Sequence, residues 1–203
     1  MSIEEAMREV APGFGFGFTH AAGVDPSLSG TGVASIDADG AAVTFLVPKR
    51  PSVSTTDVPA NDDRLRAISG DAVQFVPAGA LVLIERLYVP QGRGKDGDLI
   101  ARAGLWNFIV RGLRDKGCTV VSVAPATRAK LATGNGGSKK DDVMREMRRR
   151  FPGVPLPDDN TCDALALASA AAAWAGLPVP EPLNQGQNEA MTTVVWPLRR
   201  GSN

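Results

Sequence analysis

The chain has 203 residues, of which 43% are hydrophobic, and its 22 lysine and arginine residues balance its 22 aspartate and glutamate residues. This length and composition fit one α/β domain with a full hydrophobic core and tails. No stretch approaches the about 18 to 20 uncharged apolar residues that cross a bilayer, and the N-terminus lacks the basic and apolar order of a secretory signal, so we expect a cytoplasmic protein without a membrane partner.

The first part of the chain predicts three strands in succession. Residues 1–18 form an N-terminal extension, and the apolar runs that follow it span 20–25, 30–37 and 41–48. The turn at 37–40, with glycine at its end, has the residues typical of a hairpin. We therefore expect an antiparallel meander at the start of the sheet.

Helices and strands alternate in the rest of the sequence. Apolar residues at helical spacing predict a helix over 62–76 with Asn61 as its N-cap. The later predicted elements, in chain order, are a strand over 80–89, a helix that ends near 116, a strand over 118–125, a helix over 141–151 and a helix over 161–176. The order βββ-α-β-α-β-α-α predicts an α/β fold with a mixed five-stranded sheet flanked by helices.

The predicted domain covers residues 19–177. Within it, 126–140 is expected to be a basic, glycine-containing loop, and the proline-rich tail over 178–203 is expected to be loosely ordered. Eleven lysines and arginines but only four acidic residues lie between 111 and 151. The zero net charge therefore hides a basic segment of the kind that binds nucleic acid.

Three acidic residues lie where a charge is costly. Asp25 ends the first predicted strand, Glu85 lies inside the most apolar strand and Asp163 lies in an alanine-rich helix. Each has an ordinary explanation alone: Asp25 caps a turn, Glu85 pairs with the neighbouring arginine and Asp163 faces solvent. Together they predict a carboxylate cluster, which repels itself unless divalent cations bind. Such oxygen ligands suit Mg²⁺ or Mn²⁺, and two ions per site would clamp one phosphodiester.

The same helix offers a fourth ligand. Asn160 precedes Asp163 by three residues and Asp159 precedes it by four, so both share a helical face with it. The alternative is that one of them caps the helix N-terminus, which is the commoner role for such residues.

Four segments resemble, in order and spacing, the motifs of RuvC-like Holliday junction resolvases of the ribonuclease H-like superfamily. They are Asp25-Pro-Ser-Leu-Ser-Gly-Thr-Gly, Leu83-Ile-Glu-Arg-Leu-Tyr88, the basic stretch from Pro125 to Lys140, and Asn160-Thr-Cys-Asp163-Ala-Leu-Ala. The resemblance covers about residues 20 to 176. It implies a ribonuclease H-like fold, a homodimer and metal-dependent hydrolysis of phosphodiesters at four-way DNA junctions.

The resemblance also assigns site residues. It makes Asp25, Glu85 and Asp163 metal ligands, whereas Asn160 stands where family members often carry a second acid. The amide oxygen of Asn160, or the carboxylate of Asp159 or Asp158, would then complete the site.

The same resemblance implies contacts to DNA. Tyr88 matches an aromatic residue beside the junction crossover, and Lys139 and Lys140 match a phosphate-contacting basic position. Further candidates are Lys130, which is one residue out of register with another such lysine, and Arg93 and Lys95 in the loop after Tyr88. The alternatives are a core position for Tyr88 and a solvated face for the basic residues.

Other functions are also compatible with the sequence. A nuclease of the same fold that cuts forks, flaps or RNA–DNA hybrids would carry the same carboxylates, and a junction binder without catalysis would explain Asn160. A nucleotide-binding ATPase of the actin or sugar-kinase type opens with a similar turn but needs two such domains. We expect no protein nucleophile, because His20 precedes the first strand and Cys118 and Cys162 lie in apolar surroundings.

Overall fold

A computed structural model describes residues 17–87 and 96–197, with side chains from residue 99 onward in the second range. The strands are β1 (His20–Asp25), β2 (Gly32–Asp37), β3 (Ala42–Leu46), β4 (Leu81–Glu85) and β5 (Thr119–Val123). The helices are α1 (Val58–Phe75), α2 (Asp96–Asp115), α3 (Pro125–Thr133), α4 (Lys140–Arg150), α5 (Asp159–Ala175) and α6 (Gln185–Thr192). In these ranges no helix is both long enough and apolar enough to cross a membrane.

The strands form one mixed sheet in the order β3-β2-β1-β4-β5. The first three are antiparallel, as the hairpin turn predicts, and β4 and β5 run parallel to β1. The Asp37 carboxylate closes the hairpin by accepting hydrogen bonds from the backbone of Asp39 and Ala41, and Gly40 has a φ of 82°. The mixed five-stranded sheet expected from the sequence is confirmed.

The two faces of the sheet carry different helices. Ala21 and Leu83 belong to a buried cluster with α3, α4, α5 and α6, whereas Ala22 and Val82 belong to a second cluster with α1 and α2. Since successive side chains along a strand point to opposite faces, residues 25 and 85 share the face of Ala21 and Leu83. Asp25 and Glu85 therefore point to the side of the sheet that α5 covers.

Helix α5 lies unusually close to the sheet because two strand positions have no side chain. A Cβ at Gly23 of β1 would lie 2.0 Å from the carbonyl oxygen of Ala164, and one at Gly32 of β2 would lie 2.1 Å from that of Asn160. The facing helix is rich in alanine, and most of its residues are buried. Small residues on both sides let the two backbones touch, which fixes α5 across β1 and β2.

The start of α1 differs from the prediction. The sequence places the N-cap at Asn61, but the helix begins one turn earlier, at Val58, and Asp57 caps it by accepting a hydrogen bond from the Ala60 backbone at 3.3 Å. Pro59 in the first turn explains the difference, because its fixed φ and missing N–H suit that position.

The loop expected over 126–140 is mostly helical. Helix α3 begins with Pro125 directly after β5 and ends at Gly134, whose φ of 89° is the left-handed conformation of a helix C-terminus. The prediction was wrong here because the glycines lie only within 134–137, after the helix, whereas the residues before them have no helix breaker. The described chain therefore carries two more helices after β5 than the sequence predicts, namely α3 and α6.

The C-terminal segment was also expected to be loosely ordered, yet up to residue 197 it packs on the domain. The buried Gln187 side chain of α6 donates hydrogen bonds to the carbonyl oxygens of Leu131 and Ala132 at 2.9 and 3.0 Å. Trp196 stacks on Trp174 of α5 with 4.8 Å between the ring centroids. These contacts join sequence positions too far apart for local patterns to reveal.

The close approach of α5 predicts that Gly23→Ala destabilises the protein by about 3 kcal/mol or more, since a methyl group would overlap the α5 backbone. Gly70 in α1 is exposed and has open space around its Cβ position. Gly70→Ala is the matched control, and it should stabilise by about 0.5–1 kcal/mol through helix propensity. Urea unfolding of both variants measures these changes, and a Gly23→Ala cost below about 1 kcal/mol would contradict the close contact.

Candidate active site

Two of the three predicted acids lie side by side at the same edge of the sheet. Asp25 is the last residue of β1 and Glu85 the last of β4, and the parallel register pairs the residues just before them, Val24 with Ile84. Asp163 faces them from the second turn of α5. The exposed fractions of Asp25 and Asp163 are only 8% and 4%. The structure thus places the three carboxylates at one site from three separate elements.

The turn after Asp25 is fixed by a buried threonine. The Thr31 hydroxyl donates a hydrogen bond to the Ser27 carbonyl oxygen at 2.9 Å and accepts one from the Ser27 backbone N–H at 3.1 Å. Thr31 is fully buried. These bonds hold the chain reversal that leads from Asp25 into β2, so the position of this carboxylate is set by the backbone around it.

Burial makes the carboxyl groups of Asp25 and Asp163 resist ionisation. The pKa of Asp25 is raised well above its usual value by burial first, and then by the negative charges of Glu85 and Asp163. Burial likewise raises the pKa of Asp163 to about 6, although the positive charge of Arg128 opposes this shift. The site therefore favours groups that bring positive charge to these oxygens.

Arg128 is the site residue that the sequence analysis missed. Its Nε donates a hydrogen bond to Oε2 of Glu85, and its Nη1 makes an ion pair with Oδ1 of Asp163. The side chain is 15% exposed. Pro125 directly after a buried strand was the available signal, since a proline there predicts a helix start and puts Arg128 in its first turn.

The fourth-ligand candidates have other partners. Asp158 is the N-cap of α5 and accepts a hydrogen bond from the Thr161 backbone at 2.9 Å. The Asn160 amide donates to Asp158 Oδ2 at 3.3 Å, and the Asp159 carboxylate forms an ion pair with Lys140. The capping role weighed for Asn160 and Asp159 thus belongs to their neighbour. Asp159 is still close enough for its charge to raise the pKa of Asp25 and Asp163.

The carboxylate oxygens of Asp25, Glu85 and Asp163 are chemically suited to bind a hard divalent cation, although they are not arranged around a single point. Buried carboxylate oxygens are the ligands that Mg²⁺ and Mn²⁺ prefer. Among the side chains that the structure describes, at 17–87 and 99–197, however, no three of His, Cys, Asp or Glu are arranged to hold a metal ion. The guanidinium of Arg128 bridges two of the carboxylates instead.

Comparison with known proteins finds one curated relative. No protein-family model matches the chain. It is 28% identical over 150 residues to the crossover junction endodeoxyribonuclease RuvC of Sphingopyxis alaskensis, covering 72% of this chain and 92% of that protein.

Solved structures give the fold. The structure of Thermus thermophilus RuvC matches with a TM-score of 0.52 and 20% identity over 78% of this chain and 97% of that chain. The same protein in complex with a Holliday junction substrate gives 0.53 and 18%, over 87% and 98% of the two chains. The chain therefore has a fold similar to that of RuvC. The yeast mitochondrial Holliday junction resolvase Ydc2 also matches, with a TM-score of 0.50 and 10% identity over 95% and 90% of the two chains.

The predicted DNA contacts fall in three places. Lys139 and Lys140 lie exposed at the start of α4, and Lys140 is joined to the carboxylate site through its ion pair with Asp159. Lys130 is paired with Glu189 of α6 at 2.9 Å, so an acid of the chain itself already neutralises it. The other three candidates lie outside the described residues; these are Tyr88, Arg93 and Lys95.

The arginines of α4 mostly bond to groups of the chain itself. Arg148 donates to the Leu156 carbonyl oxygen at 3.0 Å, and Arg149 bonds to Glu146 and Glu181. Arg150 is 3% exposed. Fewer basic side chains of α4 are therefore available to a phosphate backbone than the count of lysines and arginines between 111 and 151 suggests.

A cleft beside Glu85 adds two cations that the sequence analysis did not single out as DNA contacts. Arg86 and Arg102 line it together with Trp106. The Trp106 indole donates a hydrogen bond to the Glu85 carbonyl oxygen at 2.9 Å, which holds α2 against the end of β4. The cleft has the charge that suits a DNA phosphate next to the carboxylates.

The raised pKa values predict how stability of the metal-free protein depends on pH. Folding raises the pKa of Asp25 and Asp163, so between their unfolded and folded pKa values these two carboxyls bind more protons in the folded protein than in the unfolded chain. For Asp163 this window ends at about pH 6. Their contribution to the free energy of unfolding therefore falls as pH rises through this window.

We expect Asp25→Asn to raise the melting temperature in EDTA at about pH 7.5, where 1 kcal/mol corresponds to about 2–4 °C. The gain should shrink as the pH is lowered, because protonation of wild-type Asp25 removes the same unfavourable charge. Asp39→Asn in the exposed hairpin turn is the matched control. A melting temperature below that of the wild type at neutral pH would show that ionised Asp25 stabilises the fold.

Proposed function

We propose that this RuvC-like protein is a divalent-metal-dependent endonuclease that hydrolyses phosphodiesters of branched DNA, with the four-way junction as its main substrate. The meeting of Asp25, Glu85 and Asp163 carries the proposal. A structural relative was solved with a Holliday junction substrate, and the curated relative is a crossover junction endodeoxyribonuclease. Both chemistry and fold thus support the same activity.

The three carboxylates would hold Mg²⁺ or Mn²⁺, with Asp159 or the amide of Asn160 as a further ligand. The ions supply Lewis-acid stabilisation of the charge that develops on the phosphate oxygens, and two of them per site suit phosphodiester cleavage. The residues themselves orient the ligand oxygens from a rigid sheet edge. Their burial keeps bulk water away, which strengthens every electrostatic interaction there.

Water is the proposed nucleophile. His20 lies at the opposite end of β1 from Asp25, about 16 Å away at the rise of a strand. Burial raises the pKa of the Cys162 thiol to about 11, so a thiolate does not form at neutral pH. Neither side chain is therefore suited to attack the phosphate, which leaves water as the nucleophile.

Basic side chains around the site would hold the DNA backbone. Lys139 and Lys140 lie at one rim, and Arg86 and Arg102 line the cleft beside Glu85. Contacts to phosphates position a duplex without reading its sequence. This set therefore supports recognition of DNA shape.

We also propose a homodimer, because paired nicks across a junction need two active sites related by symmetry. Helix α2 is the candidate interface, although two of its aromatic residues already serve its own chain. Trp106 bonds to the Glu85 backbone, and Phe108 lies under Arg66 at 4.9 Å. Ile100 of the same helix is 64% exposed and is available to a partner.

A junction binder without catalysis is the second candidate. It is favoured by the position of Arg128, whose guanidinium already neutralises Glu85 and Asp163, and by the amide at Asn160. Such a protein would bind branched DNA without a metal ion.

Cleavage of labelled DNA separates these functions. A four-way junction, a fork, a flap, an RNA–DNA hybrid and a linear duplex are incubated with the protein in Mg²⁺, in Mn²⁺ and in EDTA. We expect paired, metal-dependent nicks on the junction. Asp25→Asn should lower the rate by more than about 100-fold, since losing a ligand removes several kcal/mol of stabilisation, whereas Asp39→Asn should retain the wild-type rate.

Each alternative has its own outcome in this assay. Preferred cutting of forks, flaps or hybrids would keep the metal chemistry and change the substrate. Tight, metal-independent junction binding with no cleavage would identify the non-catalytic binder and refute the proposed nuclease.

A further inference from the structure

We infer that Arg128 is an internal cation that holds the carboxylate site together in the absence of metal, and that a divalent ion has to displace it in order to bind. This inference rests on the proposed metal site. It assigns to Arg128 a positioning role that controls when the site is open to metal.

The contacts of Arg128 carry the inference. Two different nitrogen atoms of one guanidinium reach two carboxylates from different elements, Glu85 on β4 and Asp163 on α5. The arginine side chain is 15% exposed and the two carboxylate side chains are 19% and 6% exposed. This forked, largely buried geometry is that of a strong charge-assisted pair.

Arg128 and a metal ion would use the same oxygens. Oε2 of Glu85 and Oδ1 of Asp163 each accept from the guanidinium, and both belong to the proposed ligand set. A small dication at those oxygens excludes a guanidinium by space and by charge repulsion. The free energy needed to move Arg128 is therefore subtracted from the affinity for metal.

The backbone beneath Arg128 is fixed, so only the side chain has to move. The Arg128 N–H donates to the Ala124 carbonyl oxygen at 2.9 Å within α3. Helix α3 is held in turn by Gln187 of α6, which bonds to two of its carbonyl oxygens, and by the ion pair of Lys130 with Glu189. A long arginine side chain on a rigid helix is suited to swing between two positions.

Removing the guanidinium should then have opposite effects with and without metal. In EDTA, Arg128→Gln leaves the carboxylates repelling one another, so the melting temperature should fall below that of the wild type. With Mn²⁺, the variant has no internal competitor, so its dissociation constant should be at least about tenfold lower. A merely structural arginine would weaken both states alike.

The experiment measures Mn²⁺ binding to the full chain by calorimetry at neutral pH, together with melting temperatures in EDTA and in saturating Mn²⁺. The variants are Arg128→Gln, Arg128→Lys, Asp25→Asn and, as a matched loss of one arginine on the other face of the sheet, Arg66→Gln. Lysine retains the charge without the fork, so we expect an affinity between those of wild type and Arg128→Gln. Arg66→Gln should bind Mn²⁺ like the wild type.

The outcomes distinguish a failure of the proposed metal site from a failure of the proposed competition by Arg128. If Arg128→Gln binds Mn²⁺ no more tightly than the wild type, while Asp25→Asn loses binding, the metal site stands and the competitor role is refuted. If Asp25→Asn binds as well as the wild type, the proposed metal site itself is refuted. Should Arg128→Gln fail to fold in EDTA, Arg128→Lys decides, and a wild-type or weaker affinity in that variant overturns the inference.

Discussion

The contact between the backbone of α5 and that of β1 and β2 is the constraint on which the rest of the site depends. Gly23 and Gly32 leave no room for a side chain beneath the helix. Had either strand carried an ordinary residue there, α5 would lie farther from the sheet and Asp163 would be too far from Asp25 to share a ligand. The packing of small residues between α5 and the sheet thus determines the distance between Asp163 and Asp25, which lie at one end of this contact.

That contact has an electrostatic consequence. It brings the carboxylates together in a buried region, where burial and mutual repulsion raise the pKa of Asp25 and Asp163. The ionised carboxylates therefore destabilise this edge of the sheet. Positive charge offsets this effect. In the metal-free chain that charge belongs to Arg128, with Lys140 and its partner Asp159 nearby. The proposed metal ion and Arg128 are alternative sources of the positive charge that offsets this repulsion. The affinity for metal is therefore linked to how strongly Arg128 binds Glu85 and Asp163.

Much of this was predictable from local patterns. Asp25 ends one apolar run and Glu85 lies inside another, and runs of that kind are strands. The predicted strand over 80–89 is longer than β4, which ends at Glu85, so the structure was needed to place both acids at one edge of the sheet. Asp163 was identifiable because a charge in an alanine-rich helix is conspicuous. Arg128 was not found, since its segment is rich in glycine farther on and its partners are 43 and 35 positions away. The packing of α6 was missed for a similar reason, because the bonds of Gln187 join residues more than 50 positions apart.

The most direct test of the account is a crystal structure of the protein grown with Mn²⁺, with anomalous scattering used to locate the metal. The account predicts an anomalous peak within ligand distance of Asp25, Glu85 and Asp163, about 2.0–2.3 Å from their oxygens, with the guanidinium of Arg128 turned away from both of its present partners. A map without a peak at this site would contradict the central claim that the carboxylates form a metal centre. A peak there with Arg128 still bridging Glu85 and Asp163 would contradict the competition between them.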